Sequence, residues 1–101
     1  MPNKNYIQGR KYEYKAMEEL REHGYWTLRS AGSHSPVDVI GVDLNHVRFI
    51  QVKSVKGLTG GRQYVWSEIK ELTELMVPPG CRKEIWIYNI SKKIWIKEVL
   101  F

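Results

Sequence analysis

Residues 36–53 read PVDVIGVDLNHVRFIQVK. Two runs rich in β-branched and aromatic residues, Val37–Val42 and Val47–Lys53, flank a polar connection, Asp43-Leu44-Asn45-His46. That pattern predicts a β-hairpin, with Asn45 as the turn residue that tolerates a positive φ. If the turn is symmetric about Leu44–Asn45, the numbers of cross-strand partners sum to 89, and Asp38 faces Gln51. Opposed side chains share a face, with Cβ atoms roughly 5 Å apart. Lys53, two residues beyond Gln51, returns to the same face by strand alternation. A carboxylate, a carboxamide oxygen and an ammonium would then converge at one end of an apolar hairpin, a set suited to a hard cation and a phosphate. The same Asp38 and Lys53 would equally serve as a half-buried ion pair.

The remainder of the chain bounds the possibilities. One hundred and one residues predict a single domain spanning 1–101, and 43% apolar residues exclude a disordered chain. The formal charge of +5 favours an anionic partner, nucleic acid or a membrane surface. A single cysteine, Cys81, excludes an internal disulfide and fits a reducing, cytoplasmic location. No run approaches a membrane span, and no apolar leader follows the first residues, so no membrane partner is expected.

Tyr6–His23 predicts a helix closed by Gly24. Its apolar stripe passes through Ala16, Met17 and Leu20, and Glu13 lies within that stripe. A carboxylate facing a core needs a partner or a cation. Arg10 or Lys11 could supply the partner at the rim, or Glu13 reaches the site of Asp38. Tyr25–Ser30 predicts a short strand, followed by the small polar loop Ala31-Gly32-Ser33-His34-Ser35-Pro36, whose N–H groups and hydroxyls suit a phosphate. His34 lacks a second histidine or cysteine at ligand spacing.

Taken together, Gly9-Arg10-x-x-Glu13, Arg29-Ser30-Ala31-Gly32-Ser33, Pro36-Val37-Asp38 and Gln51-Val52-Lys53-Ser54 resemble the PD-(D/E)XK nuclease superfamily. Within it the pattern is most similar to the archaeal Holliday junction resolvases. The resemblance implies a restriction-endonuclease-like α/β fold with a mixed central sheet flanked by helices. It also implies a divalent metal, Mg²⁺ with Mn²⁺ able to substitute. Asp38 would be the central ligand, joined by Gln51, the Val52 carbonyl and Glu13, the last directly or through water. Lys53 would orient the attacking water or stabilise charge on the phosphate. The implied reaction is phosphodiester hydrolysis leaving a 5′-phosphate. One departure stands out: Gln51 replaces the usual Glu or Asp, as it does in some virus-type VRR nucleases. An amide oxygen can ligate Mg²⁺ but brings no charge.

Downstream, Lys56–Tyr64 is glycine-rich and basic, suited to a loop that follows a nucleic-acid backbone. It lacks the GxxxxGK[ST] pattern, so no nucleotide cofactor is expected. Ser67 opens a predicted helix with stripe Ile69, Leu72, Leu75 and Met76, ended by Pro78-Pro79-Gly80. Lys83–Ile90 and Lys93–Leu100 alternate as two strands, with Trp86, Tyr88 and Trp95 on one side. Those rings would pack under a helix or at a dimer interface in preference to stacking on bases.

The order α-β-β-β-α-β-β fits a restriction-endonuclease-like core, and the resemblance implies a homodimeric, metal-dependent DNA endonuclease selecting four-way junctions by shape. Its phosphate contacts would come from Arg10, Arg29, Ser33, Lys56 and Arg62. Two alternatives keep the fold: a nuclease acting on flaps, ends or foreign duplexes, and a DNA-binding module whose site has decayed at Gln51.

Overall fold

The computed structural model describes residues 4–30, 35–57 and 66–100, with side chains from Gln8 onward. Helix α1 (Lys4–Glu22) is followed by strands β1 (Trp26–Arg29), β2 (Val39–Val42) and β3 (Val47–Val55). Helix α2 (Trp66–Glu74) and strands β4 (Arg82–Asn89) and β5 (Ile94–Leu100) complete the order. It is the predicted α-β-β-β-α-β-β order, with most boundaries shifted by one or two residues.

The five strands lie in one sheet in sequence order, with β3 at its centre. Every neighbouring pair is antiparallel except β3 and β4, which run parallel. A parallel neighbour requires a crossover, and α2 provides it.

Alternation along the central strands sends side chains to two cores. On one face Tyr12, Ala16, Met17 and Leu20 of α1 pack on Val39, Ile50, Val52 and Trp86. On the other, Ile69 and Leu72 of α2 pack with Val37, Ile85, Ile87 and Leu100. Each fully buried Leu or Ile contributes on the order of 1.5–3 kcal/mol, so these stripes fix where both helices sit. Gly41 keeps α1 close: a Cβ there would meet a Leu20 methyl at 3.2 Å.

The end of α1 is closed as expected by Gly24, at φ 85°. Gly24 N–H donates to Arg21 O and Tyr25 N–H to Leu20 O, both at 3.0 Å, the paired bonds of a Schellman ending. The hairpin turn departs from expectation. Among the described residues the only non-glycine positive φ is at Lys93, not Asn45. The Asp43 side chain builds the turn instead, accepting N–H bonds from Asn45 at 2.8 Å and His46 at 2.6 Å.

Helix α2 ends at Glu74, and Met76 is fully exposed rather than part of the buried stripe. The buried Lys83 ammonium reaches across from β4 to the carbonyls of Thr73 and Leu75, at 2.6 and 3.0 Å. It satisfies backbone acceptors that the next helical turn would have used. The aromatic side of β4 and β5 is core under α1, as expected. Trp86 is 1% exposed. Tyr88 stacks on Tyr12 at 4.9 Å, and Trp95 meets both Trp86 and Tyr88 edge-on. Trp86 is closed off from solvent, while Tyr88 and Trp95 are partly buried against the same core.

Candidate active site

The β2–β3 register pairs Val39 with Ile50 and Val42 with Val47, so partner numbers sum to 89 as the hairpin reading requires. The ladder ends there, one step before Asp38 and Gln51. Asp38 N–H donates to the Ile50 carbonyl at 2.9 Å, although Ile50 is already the partner of Val39. Alternation slips at this point: Val37 and Ile40, three apart, both pack on the α2-side core. The irregularity has the character of a bulge, which re-aims a side chain where a strand begins.

Its effect is to turn the Asp38 carboxylate onto the central strand, where it accepts Val52 N–H at 2.9 Å. The Asp38 main chain is fixed from both sides, because its carbonyl also accepts Ser30 N–H at 2.8 Å. In a strand the N–H and C=O of one residue project to the same flank. The Val52 carbonyl therefore lies on the Asp38 side of β3.

Burial raises the Asp38 carboxyl to about 6 against the Val52 hydrogen bond, and the charge of Glu13 adds to the rise. Lys53 and Arg29 act in the opposite direction. Charges from both helical faces are thus felt at this one carboxylate.

The other predicted residues fall as follows. Glu13 has a partner from the next element, Arg29 of β1. It accepts a hydrogen bond from Arg29 at 3.0 Å, with both side chains 18% exposed. Arg29 therefore belongs to the site rather than standing free beside it, and its guanidinium also lies 5.1 Å from the Tyr14 ring. Gln51 is buried, and its Oε1 has no hydrogen-bond partner. Lys53 is ion-paired with Glu68 of α2 at 3.2 Å, not with Asp38. Arg10 is half-buried and Lys56 exposed. Ser33, His34 and Arg62 lie outside the described residues.

Glu68 is the residue that sequence reasoning did not place here. It reaches Lys53 because the crossover brings the first turn of α2 beside β3.

Whether these groups fit a metal is a question of donor chemistry. Among the described residues no three of His, Cys, Asp or Glu cluster as a metal cage. Mg²⁺ does not require one, since it keeps several waters and takes one or two carboxylates. A buried carboxamide oxygen without a donor and a carboxylate shifted upward by burial are hard oxygen ligands in want of a cation. Each is a donor type that Mg²⁺ or Mn²⁺ accepts. The cavity lined by Thr73–Cys81, Lys83 and Leu100 includes none of these residues.

The mixed sheet with β3-α2-β4 crossover and a helix on each face is the restriction-endonuclease-like arrangement. Among solved structures the chain is similar to Archaeoglobus fulgidus Hjc, a Holliday junction resolvase from an archaeal hyperthermophile. The TM-score is 0.66 and the identity 21%, over 88% of this chain and 73% of that one. The shared fold is the nuclease fold that the motifs at Asp38 and Lys53 led one to expect. No family model matches the chain, and no curated protein is found similar to it.

Proposed function

We propose that the protein is a metal-dependent DNA endonuclease that hydrolyses phosphodiester bonds, with four-way junctions as its preferred substrate. The observation that carries this reading is the Asp38 carboxylate: it is held by Val52 N–H in a resolvase-like fold, one residue along the strand from Gln51, whose side-chain oxygen is buried and unpartnered. Asp38, Gln51 and the Val52 carbonyl would hold the cation. When bound, Mg²⁺ makes a water nucleophilic near neutral pH and neutralises charge on the phosphate.

The chain's own groups divide the remaining work. Asp38 is fixed at main chain and side chain, so little reorganisation is needed when a cation arrives. Lys53 supplies an ammonium near the place where phosphate charge develops. Glu13 adds negative charge at Asp38 and, through its bond to Arg29, holds a guanidinium at the mouth of the site. Arg29 can share that bidentate fork with a phosphate. Arg10, Lys56, Ser33 and Arg62 would track the backbone, consistent with the net charge of +5.

A homodimer would place two such sites on opposed strands of a junction. Edge strand β1 supports that assembly, with Trp26 and Leu28 at 63% and 50% exposure.

Incubation with Mg²⁺ or Mn²⁺ and a panel of junction, flap, single-stranded and linear DNAs tests the reading. Paired nicks across the junction are expected. Cutting of flaps, ends or linear duplex alone would transfer the activity to another member of the superfamily. A neutral Gln51 favours one further alternative, a module that binds DNA without cutting. Tight binding with no cleavage by either metal would establish it.

A further inference from the structure

We propose that Glu68 is the positioning residue for Lys53, anchoring its ammonium from the α2 side and holding it off the Asp38 carboxylate. The inference rests on the nuclease reading only for its catalytic consequence, because the anchoring itself is geometric.

Lys53 Nζ lies 3.2 Å from Glu68 Oε1. The second carboxylate oxygen is also engaged, accepting the Ser67 hydroxyl at 3.0 Å. One oxygen is fixed by its own helix, which leaves the other aimed at the lysine. The next residue, Ile69, is 3% exposed in the α2-side core, so the first turn of α2 is tied to the sheet. The carboxylate is therefore carried by a docked element, not by a mobile surface side chain.

Lysine needs such an anchor. Its stem carries roughly 2 kcal/mol of rotamer entropy, and a lone ammonium samples many positions. Asp38 is a second acid within electrostatic reach, since its carboxyl already feels the Lys53 charge. An ammonium seated on Asp38 would compete with a cation for the same oxygens. Glu68 prevents that by offering a charged partner carried on α2. The two cations of the site are thus each committed to an acid from a helix: Arg29 to Glu13 and Lys53 to Glu68.

The bland reading is an ordinary surface pair, worth about 0–1 kcal/mol of stability and nothing to chemistry. A double-mutant cycle separates the two, using Glu68→Gln, Lys53→Met and the combination. On the DNA that the parent cuts, Glu68→Gln should lower kcat about ten-fold with KM within about two-fold, the signature of lost orientation. Added to Lys53→Met, it should cost nothing more. An unchanged kcat in Glu68→Gln overturns the proposal. So does an equal fractional loss in the Lys53→Met background, which would mean that Glu68 acts on its own.

A second readout does not depend on cleavage. Reductive methylation with formaldehyde, followed by mass spectrometry, should label Lys53 several-fold faster in Glu68→Gln than in the parent. Rates at other lysines should match. Equal labelling of Lys53 overturns the anchoring. If the parent cuts no DNA, the nuclease reading fails separately, and the labelling ratio still decides whether Glu68 holds Lys53.

Discussion

The Asp38 carboxylate accepts the Val52 N–H at 2.9 Å, across the point where the β2–β3 ladder stops. A side chain here completes a bond that a backbone carbonyl would have made in a longer strand. The bond aims the acid without neutralising it, so Asp38 stays a charge-bearing carboxylate in a poorly hydrated place.

The first prediction concerns pH. Burial raises the Asp38 carboxyl to about 6 in the folded protein, against roughly 3.9 in an unfolded chain. Between those values the native state holds more protons than the unfolded state, so stability falls as pH rises through that window. The two-unit difference sets a ceiling of about 3 kcal/mol. Because the site is open to water on one side, about 1–2 kcal/mol is expected. Asp38→Asn should recover that stability near neutral pH, show no gain below about pH 4, and abolish cleavage while sparing DNA binding. Urea melts across pH and a junction-binding assay check it. Cleavage at the parent rate would show that Asp38 is not the metal-binding acid.

Gln51 yields a prediction of opposite sign for apo and metal-bound protein. Gln51→Glu places a second carboxylate in a buried position, one residue from the Val52 N–H that Asp38 accepts. Without metal the variant should be less stable by about 1–3 kcal/mol, the cost of a buried charge lacking a partner. With Mn²⁺ it should bind at least about ten-fold more tightly, since a charged ligand replaces a neutral one. Calorimetric titration with Mn²⁺ and thermal melts with and without it measure both halves.

Glu13 and Arg29 should prove coupled. Glu13→Ala strands a guanidinium that is only 18% exposed. A loss of about 1.5–3 kcal/mol follows, the usual worth of a hydrogen bond to a charged group. Arg29→Lys should restore little of a variant lost at Arg29, because an ammonium lacks the planar fork. A double-mutant cycle in urea reads the coupling directly.

Arg48 and Glu84 serve as a control that uses none of the proposed site residues. Glu84 is 2% exposed and takes two bonds from Arg48, at 2.5 and 2.7 Å. Burial alone would push its carboxyl up, but those bonds and the Trp86 N–H at 2.9 Å hold it below the usual range. Glu84→Ala should cost about 3–5 kcal/mol by leaving a buried guanidinium unpaired. The loss should change little with salt, since a buried pair is poorly screened. Where the variant is folded, Mn²⁺ affinity should match the parent.

The parts legible in the residue string are those governed by short-range periodicity. The seven elements, the sum-of-89 register and the burial of Trp86, Tyr88 and Trp95 under a helix all follow from alternation, capping and turn spacing. Asp38, Gln51 and Lys53 came within reach for the same reason, as neighbours on one hairpin.

Other features follow only once the sheet is assembled. The bulge at Asp38 replaces simple opposition to Gln51 with a bond to Val52, because β1 and β3 both claim the Asp38 main chain. Glu13 meets Arg29 across sixteen residues, a pairing that no spacing within a turn could show. Glu68 reaches Lys53 through a crossover whose path no local pattern encodes. Periodicity assigns a side chain to a face, but a charged group's partner depends on which elements pack together, and packing is a property of the whole chain.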